Sequence, residues 1–160
     1  SPMNAFNILT GIETLSLRMD KHISNTAIMV DYLTSNENVT WVNHPSLPDH
    51  PDHEVARKLM PKGQGSMIAF GIKGGREAGQ AFINSMKLTS HLANVGDAKS
   101  LVIHPASTTH SQMDKKSLEL AGLTDDMIRF SVGLEDMDDI INDFNNGFRA
   151  SQKPRLVASR

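Results

Sequence analysis

The chain of 160 residues contains no cysteine, which excludes disulfide bonds, thiolate metal sites and cysteine nucleophiles. Aromatic residues make up only 5% of the sequence, with a single Trp and a single Tyr. No apolar run approaches the roughly 20 residues that a membrane-spanning helix needs, and no secretory signal peptide is visible. We therefore expect an ordinary globular chain without a membrane partner.

The charge of the chain is close to balanced, because 16 Lys and Arg stand against 18 Asp and Glu and give a net charge of −2. The basic residues are scattered, whereas a nucleic-acid-binding protein concentrates them on one face. We therefore predict no nucleic-acid partner. The length predicts one domain with a substantial core. Its end lacks periodicity, so we predict a domain over residues 1–152 and a mobile tail over 153–160.

A long apolar stripe opens the chain. Ser1 and Pro2 form a favourable helix start, with an N-cap hydroxyl and a proline in the first helical position. Apolar residues then recur at three- and four-residue steps to Leu33, which predicts a helix of about 50 Å. Such a helix exceeds what a domain of this size needs to cover its own sheet, so we expect part of it to pack outside the chain. A kinked helix pair is the alternative.

Shorter strands and helices follow in mixed order, and several connections are too short for parallel crossovers. The sequence therefore predicts an α+β fold: a small, mainly antiparallel sheet with helices on one face, preceded by the long N-terminal helix. The predicted strands are Val39–Asn43, 66–72, 100–104 and 127–135, with a polar extended segment at 88–95. The predicted helices after the first are 54–60, 76–86, 113–120 and 136–149.

Two loops invite a ligand interpretation that their spacing does not support. Residues 44–53 read HPSLPDHPDH, but the three histidines do not have the spacing of a closed metal site, and the prolines hold the loop extended. Lys73-Gly74-Gly75 precedes a helix but lacks a phosphate-binding glycine pattern, so a plain turn is favoured. We predict no metal site in this chain.

One predicted strand carries a charged residue of interest. In Met127–Gly133 the apolar residues Ile128, Phe130 and Val132 alternate with Met127, Arg129 and Ser131, so Arg129 points away from the core. A guanidinium there is either part of a solvated face or an anion site. The strand pattern alone leaves both interpretations open.

Two long motifs carry a resemblance to a known family. The stretch ANVGDAKSLVIHPASTTH, followed by RFSVGLED, resembles the C-terminal domain of the pyridoxal-phosphate (PLP) enzymes of cysteine and methionine metabolism, and within them the O-acetylhomoserine sulfhydrylase branch. The similarity runs from SPMNAF through GIETLSLRMDKH, WVNHP and FGIKGG to about Gln152. It implies the small C-terminal domain of the aspartate-aminotransferase-like fold.

The resemblance also implies roles for individual residues. The Arg of the family's R-x-S-V-G motif holds the substrate α-carboxylate, and it matches Arg129; the planar fork of arginine suits a carboxylate. The Thr before the second His of the HPASTTH motif lines the pocket and matches Thr109. Asn94 stands where lyase members often have Ser, and it can still donate to a carboxylate. Ser107 and Thr108 are expected to shape the loop, and the two histidines of the motif, His104 and His110, to be structural.

The family's cofactor groups are not recognisable in this sequence. PLP enzymes need a lysine for the cofactor, an acid for its ring nitrogen and a phosphate cup. None of the nine lysines follows the family's Ser-x-x-Lys or Ser-x-Thr-Lys pattern, and the only tyrosine, Tyr32, lies in the long helix. We therefore expect no catalytic or cofactor-binding residue here. The chain is interpreted as a C-terminal piece, inactive alone.

The resemblance implies that the intact enzyme binds PLP in a preceding N-terminal domain, acts on a small amino-acid substrate, is cytoplasmic, and forms a homo-oligomer, expected to be a tetramer. Its favoured reaction makes homocysteine or methionine from O-acetylhomoserine and sulfide or methanethiol. The alternatives are the C-terminal part of a cystathionine γ-synthase or methionine γ-lyase, or a non-catalytic module that has kept the fold.

Overall fold

The N-terminal stripe forms two helices rather than one. The computed structural model describes residues 1–152, apart from the side chains at 115 and 119; the predicted tail at 153–160 lies outside these residues. Helix α1 spans Pro2–Glu13 and helix α2 spans Leu15–Thr34, with Thr14 between them at φ −107° and ψ 8°. Arg18 donates to the Gly11 carbonyl at 2.9 Å and to the Thr14 hydroxyl, so side-chain bonds support the interruption. The prediction of a single continuous helix was wrong, and the alternative prediction of a helix pair is confirmed.

The two helices differ in what they bury. Helix α1 has no buried residue. Its large apolar side chains are each more than half exposed: Met3, Phe6, Ile8, Leu9 and Ile12. Helix α2 buries a full stripe against the sheet and α6, ending at Leu33. Packing of α1 against a surface outside this chain stays a prediction.

Five strands form one mixed sheet in the order β1-β2-β5-β4-β3. The strands are β1 (Val39–Asn43), β2 (Met67–Ile72), β3 (Ser90–His91), β4 (Leu101–Ile103) and β5 (Met127–Ser131). The β1–β2, β2–β5 and β4–β5 pairs are antiparallel, and only β3–β4 is parallel. The predicted mainly antiparallel α+β fold is confirmed.

The polar segment at 88–95 supplies a strand of only two residues, Ser90–His91, and the backbone just before that strand is bonded to a side chain. The Asp143 carboxylate accepts hydrogen bonds from the backbone N–H groups of Lys87, Leu88 and Thr89 at 2.8, 3.0 and 2.9 Å. Those donors are thus unavailable to a neighbouring strand. Asp143 lies on α6 and is buried, so it ties this segment to the helical layer.

The helices cover one face of the sheet. The remaining helices are α3 (His53–Leu59), α4 (Gly75–Ser85), α5 (Lys115–Leu120) and α6 (Met137–Ser151), with a 3₁₀ turn at Pro105–Ser107. Helices α2, α4 and α6 pack on the face that carries Ile68, Phe70, Ile128 and Phe130. Five phenylalanines form an aromatic cluster at this layer: Phe70, Phe82, Phe130, Phe144 and Phe148. No helix among the described residues is both long and apolar enough to cross a bilayer.

Candidate functional site

Arg129 lies at the centre of the sheet with its side chain exposed. It is the third residue of β5, between the buried residues Ile128 and Phe130. Its partner in β2 is Ala69 and its partner in β4 is Ile103, while Ala69 in turn pairs with Asn43 of β1. The predicted alternation is therefore confirmed, and Arg129 occupies the sheet face opposite the helices.

A cleft of about 250 Å³ opens at Arg129. Its walls combine the small Ala69, the apolar side chains of Met67 and Met127, and polar groups from the neighbouring strands. The lining residues are Asn43, Pro45, His50, Met67, Ile68, Ala69, Met127 and Arg129. No acidic residue is among them, so the cleft offers a guanidinium without a competing carboxylate.

The guanidinium of Arg129 has no protein partner among the described side chains of residues 1–152. Arg57 pairs with Glu54 at 2.9 Å and Arg76 approaches Asp125 at 3.9 Å, but no ion pair or hydrogen bond involves the Arg129 side chain. An arginine that faces an open cleft with its donors free can bind a carboxylate through two parallel charge-assisted hydrogen bonds.

His50 also lines the cleft, and sequence reasoning missed it. The backbone N–H of Asp52 donates to Nδ1 of His50 at 3.1 Å. In the neutral ring the proton must then lie on Nε2, which can donate to a ligand. The available signal was topological: the proline-rich loop at 44–53 follows β1, and β1 pairs with β2 beside the Arg129 strand.

Asn94 lies outside the Arg129 cleft. It is exposed on the segment that follows β3. Its Oδ1 accepts from the backbone N–H of Val95 at 2.9 Å, and its Nδ2 lies 3.5 Å from an Asp97 carboxylate oxygen. The amide is therefore engaged in a local turn, and its role toward a substrate stays a prediction.

Thr109 also lies outside that cleft. It is exposed on the loop after β4, and its hydroxyl lies 2.8 Å from Nδ1 of His110. Because β3 and β4 are parallel neighbours, the segments with Asn94 and Thr109 leave the sheet at the same end. That is the end at which β5 begins, two residues before Arg129.

The base of the Thr109 loop is held by a buried histidine. His104 is fully buried, with Nε2 2.8 Å from the Asp125 carbonyl and Nδ1 2.7 Å from the Ser107 hydroxyl. The hydroxyl of Thr108 donates to the His104 carbonyl at 2.8 Å. Burial lowers the pKa of His104, with the Arg76 charge acting in the same direction and the Asp125 backbone bond opposing it. These hydrogen bonds support the expected loop-shaping role of Ser107 and Thr108.

The histidines of the proline-rich loop bond to the protein rather than gathering at one point. His44 places Nδ1 2.8 Å from the Ser46 hydroxyl, and His53 places Nδ1 2.9 Å from the Pro45 carbonyl. Burial lowers the pKa of His44. Within residues 1–152 no group of three or more potential ligands is arranged to hold a metal ion.

The described lysines and the tyrosine lie away from the cleft at Arg129. The seven lysines whose surroundings are described are all exposed, and none lines the cleft at Arg129. The lone tyrosine, Tyr32, donates to Asn145 at 2.9 Å and packs beside Phe148, so it is not free to stack on a cofactor ring. The absence of a cofactor-binding residue from this chain stays a prediction.

Comparison with known sequences matches residues 1–149 to the family described as Cys/Met metabolism PLP-dependent enzyme. Sulfhydrylase FUB7 of Fusarium oxysporum f. sp. lycopersici is 48% identical over 149 residues, which cover 93% of this chain and 34% of the relative. O-acetyl-L-homoserine sulfhydrylase 1 of Thermus thermophilus is 48% identical, with 87% and 33% covered. The L-methionine gamma-lyase of Fusobacterium nucleatum subsp. nucleatum is 44% identical, with 91% and 37% covered. The chain thus spans about a third of the length of these relatives.

Solved structures share the fold. A protein named as an O-acetylhomoserine (thiol)-lyase from Campylobacter jejuni, solved with N'-pyridoxyl-lysine-5'-monophosphate, matches with a TM-score of 0.84 and 37% identity, covering 93% of this chain and 35% of that one. Cystathionine gamma synthase from Xanthomonas oryzae pv. oryzae, solved with cystathionine, matches with a TM-score of 0.85 and 33% identity, covering 95% and 39%.

Proposed function

This chain belongs to the Cys/Met metabolism PLP-dependent enzyme family, and we propose that it is the substrate-carboxylate-binding domain of an O-acetylhomoserine sulfhydrylase. The intact enzyme would replace the acetoxy group of O-acetylhomoserine with sulfide or methanethiol and release homocysteine or methionine. PLP would supply the chemistry that loosens the γ-substituent. This domain's contribution is to bind and orient the amino acid.

The position of Arg129 is the observation that best supports the proposal. Its guanidinium is exposed on a rigid central strand, free of protein partners among the described side chains, and lines a cleft with no acidic residue. A strand position holds the fork more precisely than a loop would. Two charge-assisted bonds to one carboxylate fix both the position and the rotation of the amino acid.

The remaining parts of the enzyme are proposed to lie in a separate PLP-binding domain. That domain would cover the apolar side chains exposed along α1, because exposed patches of this kind mark interaction surfaces. We also propose that Asn94 and Thr109 contact the substrate from the end of the sheet where β5 begins. The intact protein is proposed to be a cytoplasmic homotetramer, and the isolated chain to be inactive.

The test uses the intact enzyme and the substitutions Arg129→Ala and Arg129→Lys. Loss of two charge-assisted bonds should lower kcat/KM for O-acetylhomoserine by about a hundredfold or more. Arg129→Lys should lose nearly as much, since an ammonium does not reproduce the fork. Arg57→Ala, which removes an exposed arginine of α3, is the matched control and should keep kcat/KM. Near-normal kcat/KM in Arg129→Ala would overturn the proposal.

Two related activities are the second candidates, cystathionine γ-synthesis and methionine γ-elimination, because the relatives and solved structures include both classes. Product analysis separates them. With O-acetylhomoserine present, a sulfhydrylase consumes sulfide or methanethiol, whereas a cystathionine γ-synthase consumes cysteine. A γ-lyase releases methanethiol from methionine alone. An intact protein with none of these activities would favour the third candidate, a non-catalytic module.

A further inference from the structure

The HPASTTH loop and the Arg129 strand are joined through one imidazole. His104 directly follows β4 and begins the loop that carries Thr109, and Asp125 lies four residues before Arg129. The Nε2 of His104 meets the Asp125 carbonyl at 2.8 Å, although the two residues are 21 apart in sequence. This contact links the two segments that the proposed function assigns to substrate binding.

The hydrogen-bond partners determine the tautomer of the ring. A carbonyl oxygen can only accept, so Nε2 of His104 must carry the proton that is donated to Asp125. Burial keeps the pKa of the imidazole low, so the neutral ring has a bare Nδ1. The Ser107 hydroxyl, 2.7 Å away, then donates to Nδ1. Each nitrogen therefore has one defined role.

The ring is also fixed sterically. A Cβ placed on Gly79 of α4 would lie 2.7 Å from both Cδ2 and Nε2 of His104, so the helix backbone packs directly against the imidazole. Arg76, one turn earlier on α4, donates to the Ala106 carbonyl at 2.7 Å. The ring is completely buried and does not itself line the cleft at Arg129.

We propose that His104 is a positioning residue that fixes the Thr109 loop relative to the Arg129 strand, so that the side chains of Thr109 and Arg129 contact the same substrate. This inference rests on the proposed function, because it concerns the same amino-acid site. It predicts that His104 acts through Thr109. Substitutions at the two positions should therefore not be independent.

Three substitutions in the intact enzyme separate the two bonds. His104→Gln places an amide N–H near the former Nε2 and can keep the bond to Asp125, whereas His104→Asn is too short for it. His104→Phe fills the space but loses both bonds. We expect KM for O-acetylhomoserine to rise about tenfold in the Phe and Asn variants and to be restored in large part in the Gln variant. In the Phe and Asn variants the fold increase in KM should exceed the fold decrease in kcat.

A double-mutant cycle distinguishes positioning from plain stability. The effect of Thr109→Ala on kcat/KM should be several times smaller in the His104→Phe background than in the wild type. Ile140→Val, a buried core change on α6, is the control for lowered stability. It should leave KM unchanged within twofold and add independently to Thr109→Ala. If the Phe variant does not fold, the cycle is made with His104→Asn, which also loses the bond to Asp125.

Two outcomes would overturn the inference. The first is an unchanged KM in folded His104 variants whose melting temperature falls as in Ile140→Val. The second is a Thr109→Ala effect of equal size in both backgrounds. Arg129→Ala in the same assay identifies which idea has failed. If Arg129→Ala lowers kcat/KM as proposed while the folded His104 variants leave KM unchanged, only the positioning role is wrong; if Arg129→Ala also leaves kcat/KM unchanged, the proposed function is wrong as well.

Discussion

Ala69 lies directly opposite Arg129 in the antiparallel β2–β5 pair, on the sheet face that the helices leave open. Side chains at opposed positions of such a pair have Cβ atoms about 4.5–5.5 Å apart. The methyl group of Ala69 is therefore small enough to leave the guanidinium accessible, and a larger residue would not be. The space in front of Arg129 is set by its neighbour across the strand pair.

We predict that Ala69→Leu in the intact enzyme raises KM for the amino-acid substrate about tenfold or more, because the added side chain fills the cleft. Stability should change by less than about 1 kcal/mol, since the position is only half-buried and the open face can accommodate the side chain. Ala69→Ser, which keeps the side chain small, is the control and should retain KM. A normal KM in Ala69→Leu would show that the substrate does not approach Arg129 from this face.

Asp143 provides a prediction about stability alone. Its carboxylate accepts three backbone N–H bonds from Lys87, Leu88 and Thr89. Asp143→Ala would leave these donors without their acceptor, so we expect a loss of about 3 kcal/mol or more in the free energy of unfolding. Asp139→Ala on the exposed side of the same helix should cost about 1 kcal/mol or less. Chemical denaturation measures both, and equal losses would contradict the assignment.

Alanine substitutions at two helical glycines should change the stability of the fold in opposite directions. A Cβ on Gly147 of α6 would lie 2.7 Å from ring carbons of Phe82, whereas a Cβ on Gly11 of α1 meets no atom within 4 Å. Gly147→Ala should therefore destabilise the fold by about 1–3 kcal/mol through overpacking. Gly11→Ala should raise helicity or stability by up to about 1 kcal/mol. Thermal unfolding followed by circular dichroism checks both, and stabilisation by Gly147→Ala would contradict the close helix packing.

The sheet could be predicted from sequence because its strands carry strong local signals. Val39–Asn43 was predicted with both its ends, and the alternation around Arg129 placed that side chain on the face away from the core. Both patterns depend only on the two-residue period of a strand. The interruption at Thr14 had no comparable signal, since the apolar stripe continues across it.

Long-range hydrogen bonds explain what the sequence could not supply. The polar extended segment at 88–95 begins with Leu88 and Thr89, whose backbone N–H groups donate to Asp143, more than 50 residues later. His104 was interpreted as structural, which its bonds support, but its link to Asp125 depends on how β4 and β5 pair. His50 lines the cleft because strand order, rather than any local motif, brings its loop beside Arg129.

Acidification should destabilise the isolated domain. Burial lowers the pKa of His44 and His104 below the ordinary value of 6.5. Below that pH the unfolded chain binds protons that the folded chain does not, so stability is complete above about pH 6.5 and decreases as the pH falls. Each histidine can contribute a slope of at most about 1.4 kcal/mol per pH unit. Unfolding between pH 7.5 and 5.5 should show a shallower slope in His104→Gln than in the wild type; identical slopes would exclude His104 as a contributor.

The last prediction concerns the cofactor. The seven described lysines are all exposed, and none lines the cleft at Arg129, so we expect none of them to hold PLP in an enclosed site. Mixed with PLP and reduced with borohydride, the isolated chain should carry only substoichiometric label spread over several lysines, without turnover of O-acetylhomoserine. The intact enzyme, treated identically, is the positive control and should carry one label at one lysine outside this chain. Peptide mass mapping measures both. A single stoichiometric adduct on one lysine of the isolated chain, accompanied by turnover, would mean that the domain holds the cofactor itself and that its role reaches beyond binding the substrate carboxylate.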